Sequence, residues 1–133
     1  MRMTGGCLCG AVRYTVDAEP AFAGYCHCPD CRRSSGAGHC CYIGVPRTAF
    51  VLTGDVRGHT VTGGSGLPTT RFFCPTCGSQ LYGRPDAAPD HYTLYAGSLD
   101  DPLQFVPREV INTRHRAPWD VIAGGLPEHE GMP

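Results

Sequence analysis

Apolar and polar positions alternate over short stretches along this chain, a pattern with the period of strands rather than helices. Ala11-Val12-Arg13-Tyr14-Thr15-Val16 alternates over its length. Cys40–Val45, Phe50–Thr53, Thr70–Phe73, Gln80–Tyr82, His91–Ala96 and Arg108–Asn112 are further candidate strands. Turn signals separate them, among them Gly54-Asp55 and the glycine-rich stretch Gly63 to Pro68, read as a loop. A spacing of about ten residues predicts an all-β protein of antiparallel sheets folded on each other. Only Arg32-Arg33-Ser34-Ser35 reads as a helical turn.

The 133 residues suit one domain. Eighteen Gly and twelve Pro argue against a helical bundle, and a hydrophobic share of 41% suffices for a core. The segment from Pro127 to Pro133 reads as a polar tail. The start carries no apolar run of signal-peptide length, and no stretch approaches the roughly 20 apolar residues of a membrane span. A cytoplasmic protein with no membrane partner is therefore expected. All eleven basic residues are arginine, set against twelve acidic ones, for a net charge of −1. That balance lacks the basic surface a nucleic-acid partner wants.

Nine cysteines are many for this length. In a reducing compartment such clusters are more often metal ligands or catalytic groups than disulfides. Seven fall into three groups: Cys7-Leu8-Cys9, Cys26-His27-Cys28-Pro29-Asp30-Cys31, and Cys74-Pro75-Thr76-Cys77. Soft thiolates at such spacing favour zinc or an iron–sulfur cluster. Gly78 after Cys77 permits the positive φ of a zinc knuckle, and Gly10 gives the first group similar freedom. Cys7 and Cys9 can share an ion only if the backbone turns there, because alternate residues of an extended strand face opposite sides.

A structural zinc wants four closed ligands, whereas a catalytic zinc keeps three and an open position. Seven sulfurs divide naturally as Cys7, Cys9, Cys74 and Cys77 against Cys26, Cys28 and Cys31. Counting leaves other pairings open, such as Cys28 and Cys31 with Cys74 and Cys77 in a zinc ribbon. Cys40, Cys41 or His27 can also complete the three-cysteine group as a second structural site.

Three stretches resemble the glutathione-dependent formaldehyde-activating enzyme family, which includes centromere protein V-like proteins. They are Gly5–Tyr14, Cys26–Arg33 and Arg71–Leu81, with Ala96–Pro102 and Ala117-Pro118-Trp119 also matching. The resemblance spans about Gly5 to Leu126. It implies an Mss4-like β-tent around a structural zinc held by Cys7, Cys9, Cys74 and Cys77. It also implies a second, catalytic zinc at Cys26, Cys28 and Cys31, near the glutathione site; with three sulfurs and an open position, that ion is expected to be the more labile. The activity it implies is a carbon–sulfur lyase that joins the thiol of glutathione, or another small thiol, to formaldehyde or a small aldehyde.

Three thiolates on Zn²⁺ already carry −1, so a fourth needs nearby positive charge. Arg32 and Arg33, directly after Cys31, are the candidates for that role and for the carboxylates of glutathione. His27 is expected to point away from the metal, and one of Cys40 and Cys41 to pack in the core. Asp100-Asp101-Pro102 reads as a turn rather than an acid–base pair. Trp119, the sole tryptophan, reads as a packing anchor. The rival to an enzyme is a non-enzymatic zinc-stabilised glutathione carrier or protein-interaction module.

Overall fold

The computed structural model describes residues 1–133. Alternation builds ten strands in two sheets. The strands are β1 (Arg2–Gly6), β2 (Arg13–Asp17), β3 (Phe22–Cys26), β4 (Cys40–Pro46), β5 (Phe50–Thr53), β6 (Arg57–Thr62), β7 (Pro68–Phe73), β8 (Gln80–Pro85), β9 (His91–Tyr95) and β10 (Glu109–Ile111). One helix, α1 (Pro29–Ser35), follows β3. No helix is long and apolar enough to cross a membrane.

The smaller sheet is β1-β2-β5, and the larger runs β10-β3-β4-β9-β8-β7-β6. All pairings are antiparallel except β10 on β3, which is parallel. The all-β, two-sheet expectation holds, with that one strand as the departure. A long connection after β9 brings the chain back to the far edge, so β10 enters in the direction of β3.

The two faces of the larger sheet have different jobs, fixed by the period of two. Ile43 and Val45 of β4, Leu94 of β9 and Leu81 of β8 face the smaller sheet, where they bury with Met3, Tyr14 and Val16. Each fully buried side chain of this size contributes about 1.5–3 kcal/mol, so this face is where the two sheets cohere. The other face, carrying Cys26, Cys40, Tyr42, Arg71, Thr93 and Tyr95, lines a cavity.

Three strands lack an apolar alternation. β1 is Gly-rich, and β6 is an exposed polar edge. In β3, Gly24 is required by its neighbours: a Cβ there would strike the Glu109 backbone and the Tyr42 hydroxyl. The segment after Leu126 docks against β10. Val110 N–H donates to Pro127 O at 3.0 Å, His129 N–H to Val110 O at 2.9 Å, and Asn112 N–H to Gly131 O at 2.9 Å. This covers an otherwise open sheet edge.

Asp100 ties the smaller sheet to the connection after β9. Its carboxylate accepts from the Thr4 hydroxyl at 2.7 Å and pairs with the Arg13 guanidinium. Asp101 accepts from Leu103 N–H at 3.0 Å and serves the turn, so neither acid is arranged as an acid–base pair. The hydrogen bond from Arg13, then that from Thr4, holds Asp100 at about 2, below its ordinary 3.8. A depressed carboxylate stabilises the fold above its unfolded value and loses that contribution only as pH falls through the folded one. Asp100→Asn is expected to lower the melting temperature by the same amount at about pH 5.5 and about pH 8. Thermal melts check this; a penalty that fades on going from pH 8 to 5.5 contradicts it.

Candidate metal centres

The first and third cysteine groups occupy matching turns. Cys7 and Cys9 lie between β1 and β2, where Gly10 takes φ +82° and its N–H donates to Cys7 O at 3.2 Å. Cys74 and Cys77 lie between β7 and β8, where Gly78 takes φ +78° and its N–H donates to Cys74 O at 2.8 Å. The left-handed glycine closes each turn, as the sequence predicts. It also supplies the bend that lets Cys7 and Cys9 share one side.

The sulfurs of Cys7, Cys9, Cys74 and Cys77 all lie within 4.8 Å of one another. Cys7 Sγ to Cys9 Sγ is 3.6 Å, and Cys9 Sγ to Cys74 Sγ is 3.8 Å. A tetrahedron with Zn–S bonds of about 2.3 Å has edges of about 3.8 Å, so this donor set fits zinc. Val12 N–H donates to Cys7 Sγ at 3.2 Å. The Ser79 hydroxyl, 3.2 Å from Cys77 Sγ, and then the Ser79 N–H hold the Cys77 thiol at about 5. Cys77 is thus a thiolate at neutral pH, the form a metal binds.

The middle group is built where β3 runs into α1. Cys26 ends the strand, Cys28 caps the helix by accepting Cys31 N–H at 3.3 Å, and Pro29 opens the first turn. The sulfurs of Cys26, Cys28 and Cys31 converge within 4.8 Å. Cys40 stands across from Cys26 in the β3–β4 register, on the same face. Hydrogen bonding from Cys28, then Cys31 and Cys40, drives the Cys26 thiol far down, while Cys26, then Cys28 and Cys40, drive the Cys31 thiol up. Asn112 Nδ2 donates to Cys26 Sγ at 3.3 Å, and Arg71 Nη2 to Cys31 Sγ at 3.8 Å.

This group opens onto a cavity of about 790 Å³. Strands β3, β4, β7, β8 and β9 form its floor, and the Gly63–Ser65 loop, Arg114 and Gly131–Pro133 form its rim. Arg71 reaches Cys31 because its register partner on β8 is Gly83, which leaves room for the Tyr95 hydroxyl. The Arg71 Nε is buried without a partner, and no carboxylate pairs with the guanidinium.

Arg32 and Arg33 lie on the last turn of α1 and do not line this cavity. Successive helical residues rotate by about 100°, which carries both away from the side where Cys31 faces the sheet. The cations at the cavity are Arg71 and Arg114. Cys41 packs against the core, opposite in face to Cys40. Trp119 is 68% exposed, a departure from the expected anchor. The tight turn in which Asp120 N–H bonds Ala117 O directs Asp120 inward instead.

His27 points away from the three sulfurs and is wholly buried. Its Nδ1 lies 3.1 Å from Asp120 Oδ2, the oxygen that also meets His39 Nδ1 at 2.8 Å. Arg116 Nε donates to His27 Nε2 at 3.4 Å. Burial, the largest influence, lowers the His27 pKa and keeps the ring neutral. An imidazole that accepts at Nε2 carries its proton on Nδ1, which lies close to Asp120 but makes no hydrogen bond there. The cluster therefore pins the 116–120 segment against the cysteine loop.

Sequence reasoning missed Arg71, Asn112 and Arg114. Alternation supplied a signal for Arg71: counting by two from Phe73 places it on the face opposite Phe72, which packs against the core. Asn112 gave no such signal; its φ of +57° is set by the docked tail.

The chain matches the family model described as glutathione-dependent formaldehyde-activating enzyme over residues 2–115. A Halomonas elongata protein named "Putative glutathione-dependent formaldehyde-activating enzyme" is 29% identical over 123 residues, covering 83% of this chain and 73% of that protein. A crystal structure of a Rhodobacter sphaeroides protein superposes with a TM-score of 0.60 at 26% identity, covering 79% of this chain and 98% of the other.

The four-sulfur group joins two sheets, while the three-sulfur group sits at one end of the larger sheet. Structural zinc contributes about 10–16 kcal/mol in small zinc domains, as much as the whole stability of a domain. Cys77→Ala is expected to abolish the folded β-sheet signal in circular dichroism. Cys28→Ala and Cys31→Ala are expected to melt within a few degrees of wild type; unfolding of all three alike would contradict the division.

Proposed function

The chain belongs to the glutathione-dependent formaldehyde-activating enzyme family, and from that footing we propose that it is a zinc-dependent carbon–sulfur lyase. It joins the thiol of glutathione to formaldehyde and yields S-hydroxymethylglutathione. The observation that carries this reading is the three-sulfur group facing an open cavity with an arginine beside it. Cys26, Cys28 and Cys31 would hold one zinc ion and Cys7, Cys9, Cys74 and Cys77 another. With three protein ligands, the first ion would offer a position where an incoming thiol loses its proton at neutral pH.

The chain's own groups handle charge and placement. The thiol sulfur forms a bond to the carbonyl carbon, and the thiol proton ends on the former carbonyl oxygen, so no protein nucleophile is consumed. Four sulfurs around one dication total −2, which dampens the attacking sulfur. Three donors already aim at the cysteine sulfurs: Asn112 Nδ2 at Cys26, the Cys31 N–H at Cys28, and Arg71 Nη2 at Cys31. Each draws density off a ligand sulfur, and Arg71 adds a full positive charge at a site partly withdrawn from water. A reducing cytoplasm, where glutathione is the free thiol, is the compartment this reading requires.

Thiols add to formaldehyde without a catalyst, so the test is acceleration. With wild type, exchange between glutathione and its adduct, followed by NMR, is expected to exceed the protein-free rate. Cys28→Ala is expected to return it to that rate, and Arg71→Ala to lower the enhancement by on the order of tenfold. Binding of glutathione with no acceleration would sink the lyase and leave a carrier.

A further inference from the structure

We propose that Arg114 is the carboxylate receptor that makes the cavity select an anionic thiol, and that the segment Pro127–Pro133 holds it in place. The inference rests on the thiol-binding reading above and adds the residue that recognises the far end of the ligand. Arg114 lies at the cavity rim, on the side formed by Gly131, Met132 and Pro133. Its Nε donates to Glu130 O at 2.8 Å, and its backbone N–H faces the same oxygen at 3.4 Å. One end of the guanidinium is therefore anchored to the backbone. Neither terminal nitrogen has a hydrogen-bond partner, and no carboxylate lies within 4 Å.

A free, exposed arginine is usually mobile and worth little as a receptor. Here the anchor removes much of that freedom before a ligand arrives, which lowers the cost of binding. Gly131 belongs to the same arrangement. A Cβ at Gly131 would stand 3.0 Å from Arg114 Nη2, so the guanidinium packs close to a tail position that carries no side chain, and a larger residue there would push it aside. The tail is fixed in turn by Asn112 N–H on Gly131 O at 2.9 Å and by Thr113 N–H on His129 O at 3.1 Å. The same Asn112 reaches Cys26 Sγ through its side chain, so receptor and sulfur site share one support.

The remaining two N–H₂ groups of Arg114 form the fork that meets a carboxylate in bidentate fashion. Glutathione carries two carboxylates away from its thiol, and a cavity of about 790 Å³ has room for a ligand of that size.

The test titrates zinc-loaded protein calorimetrically with glutathione and with its diethyl ester, which keeps the thiol and masks both carboxylates. Wild type is expected to bind glutathione about tenfold more tightly than the ester. Arg114→Ala is expected to lose that tenfold for glutathione and leave the ester unchanged, with Arg114→Lys intermediate. Gly131→Leu, which displaces the guanidinium, is expected to act like Arg114→Ala while leaving the melting temperature of the sulfur-clamped sheets in place. Equal weakening of both ligands, or no effect of Arg114→Ala on glutathione, overturns the receptor and leaves the thiol reading standing. Failure of wild type to bind either ligand overturns the thiol reading and the receptor with it.

Discussion

Four sulfur atoms drawn from two separate sheets meet within 4.8 Å, and the arrangement of the chain follows from that meeting. Cys7 and Cys9 leave the smaller sheet by one glycine-closed turn, and Cys74 and Cys77 leave the larger by another. Three short strands alone make a marginal unit. Burial of Met3, Tyr14 and Val16 against Ile43, Leu81 and Leu94 supplies cohesion, but burial is non-directional. The sulfur cluster gives it a fixed point. As the four thiolates a metal needs, these groups would repel each other without a cation. A tetrahedral dication held there would remove that repulsion and fix the angle between the sheets.

With one face of the larger sheet committed to the core, the period of two dictates the other. Cys26, Cys40, Arg71, Thr93 and Tyr95 cannot reach the core from their register positions, so they gather in a cavity. These side chains therefore come from four strands held by one ladder. The short helix adds Cys28 and Cys31, brought back over Cys26 by a single turn. Charge completes the picture: the sulfur-rich floor faces Arg71 and Arg114, neither paired with an acid, while Asp30 and Glu109 line other parts of the cavity. An anionic thiol, with sulfur at one end and carboxylates at the other, matches that division of charge.

Much of this was legible in the amino-acid order. Strong alternation marked β2, β4, β5 and β9, and the cysteine spacing separated the groups that the fold brings together. Gly10 and Gly78 announced the positive φ that each turn adopts. What stayed hidden depends on partners distant in sequence. No alternation marks β3 as a strand, and the reason for its central Gly24 shows only where Glu109 and Tyr42 occupy the space a side chain would take. β10 is parallel because of the route of a long connection, which no local pattern encodes. The apparent polar tail gains its place from backbone hydrogen bonds to residues 110–114, and backbone bonds leave no trace in side-chain pattern. Arg32 and Arg33 attracted attention by adjacency to Cys31, whereas Arg71, forty residues away, is the arginine that reaches its sulfur.

The central claim is that one sulfur group closes on a metal to hold the fold while the other keeps a position open for a thiol. Native mass spectrometry of zinc-replete protein, with and without glutathione, tests it most directly. The account predicts two zinc ions per chain and one glutathione adduct in wild type, and one zinc ion with no adduct in Cys28→Ala. A single tightly held zinc ion and no adduct in wild type would contradict it, and would leave a sulfur-clamped β module whose cavity serves some other ligand.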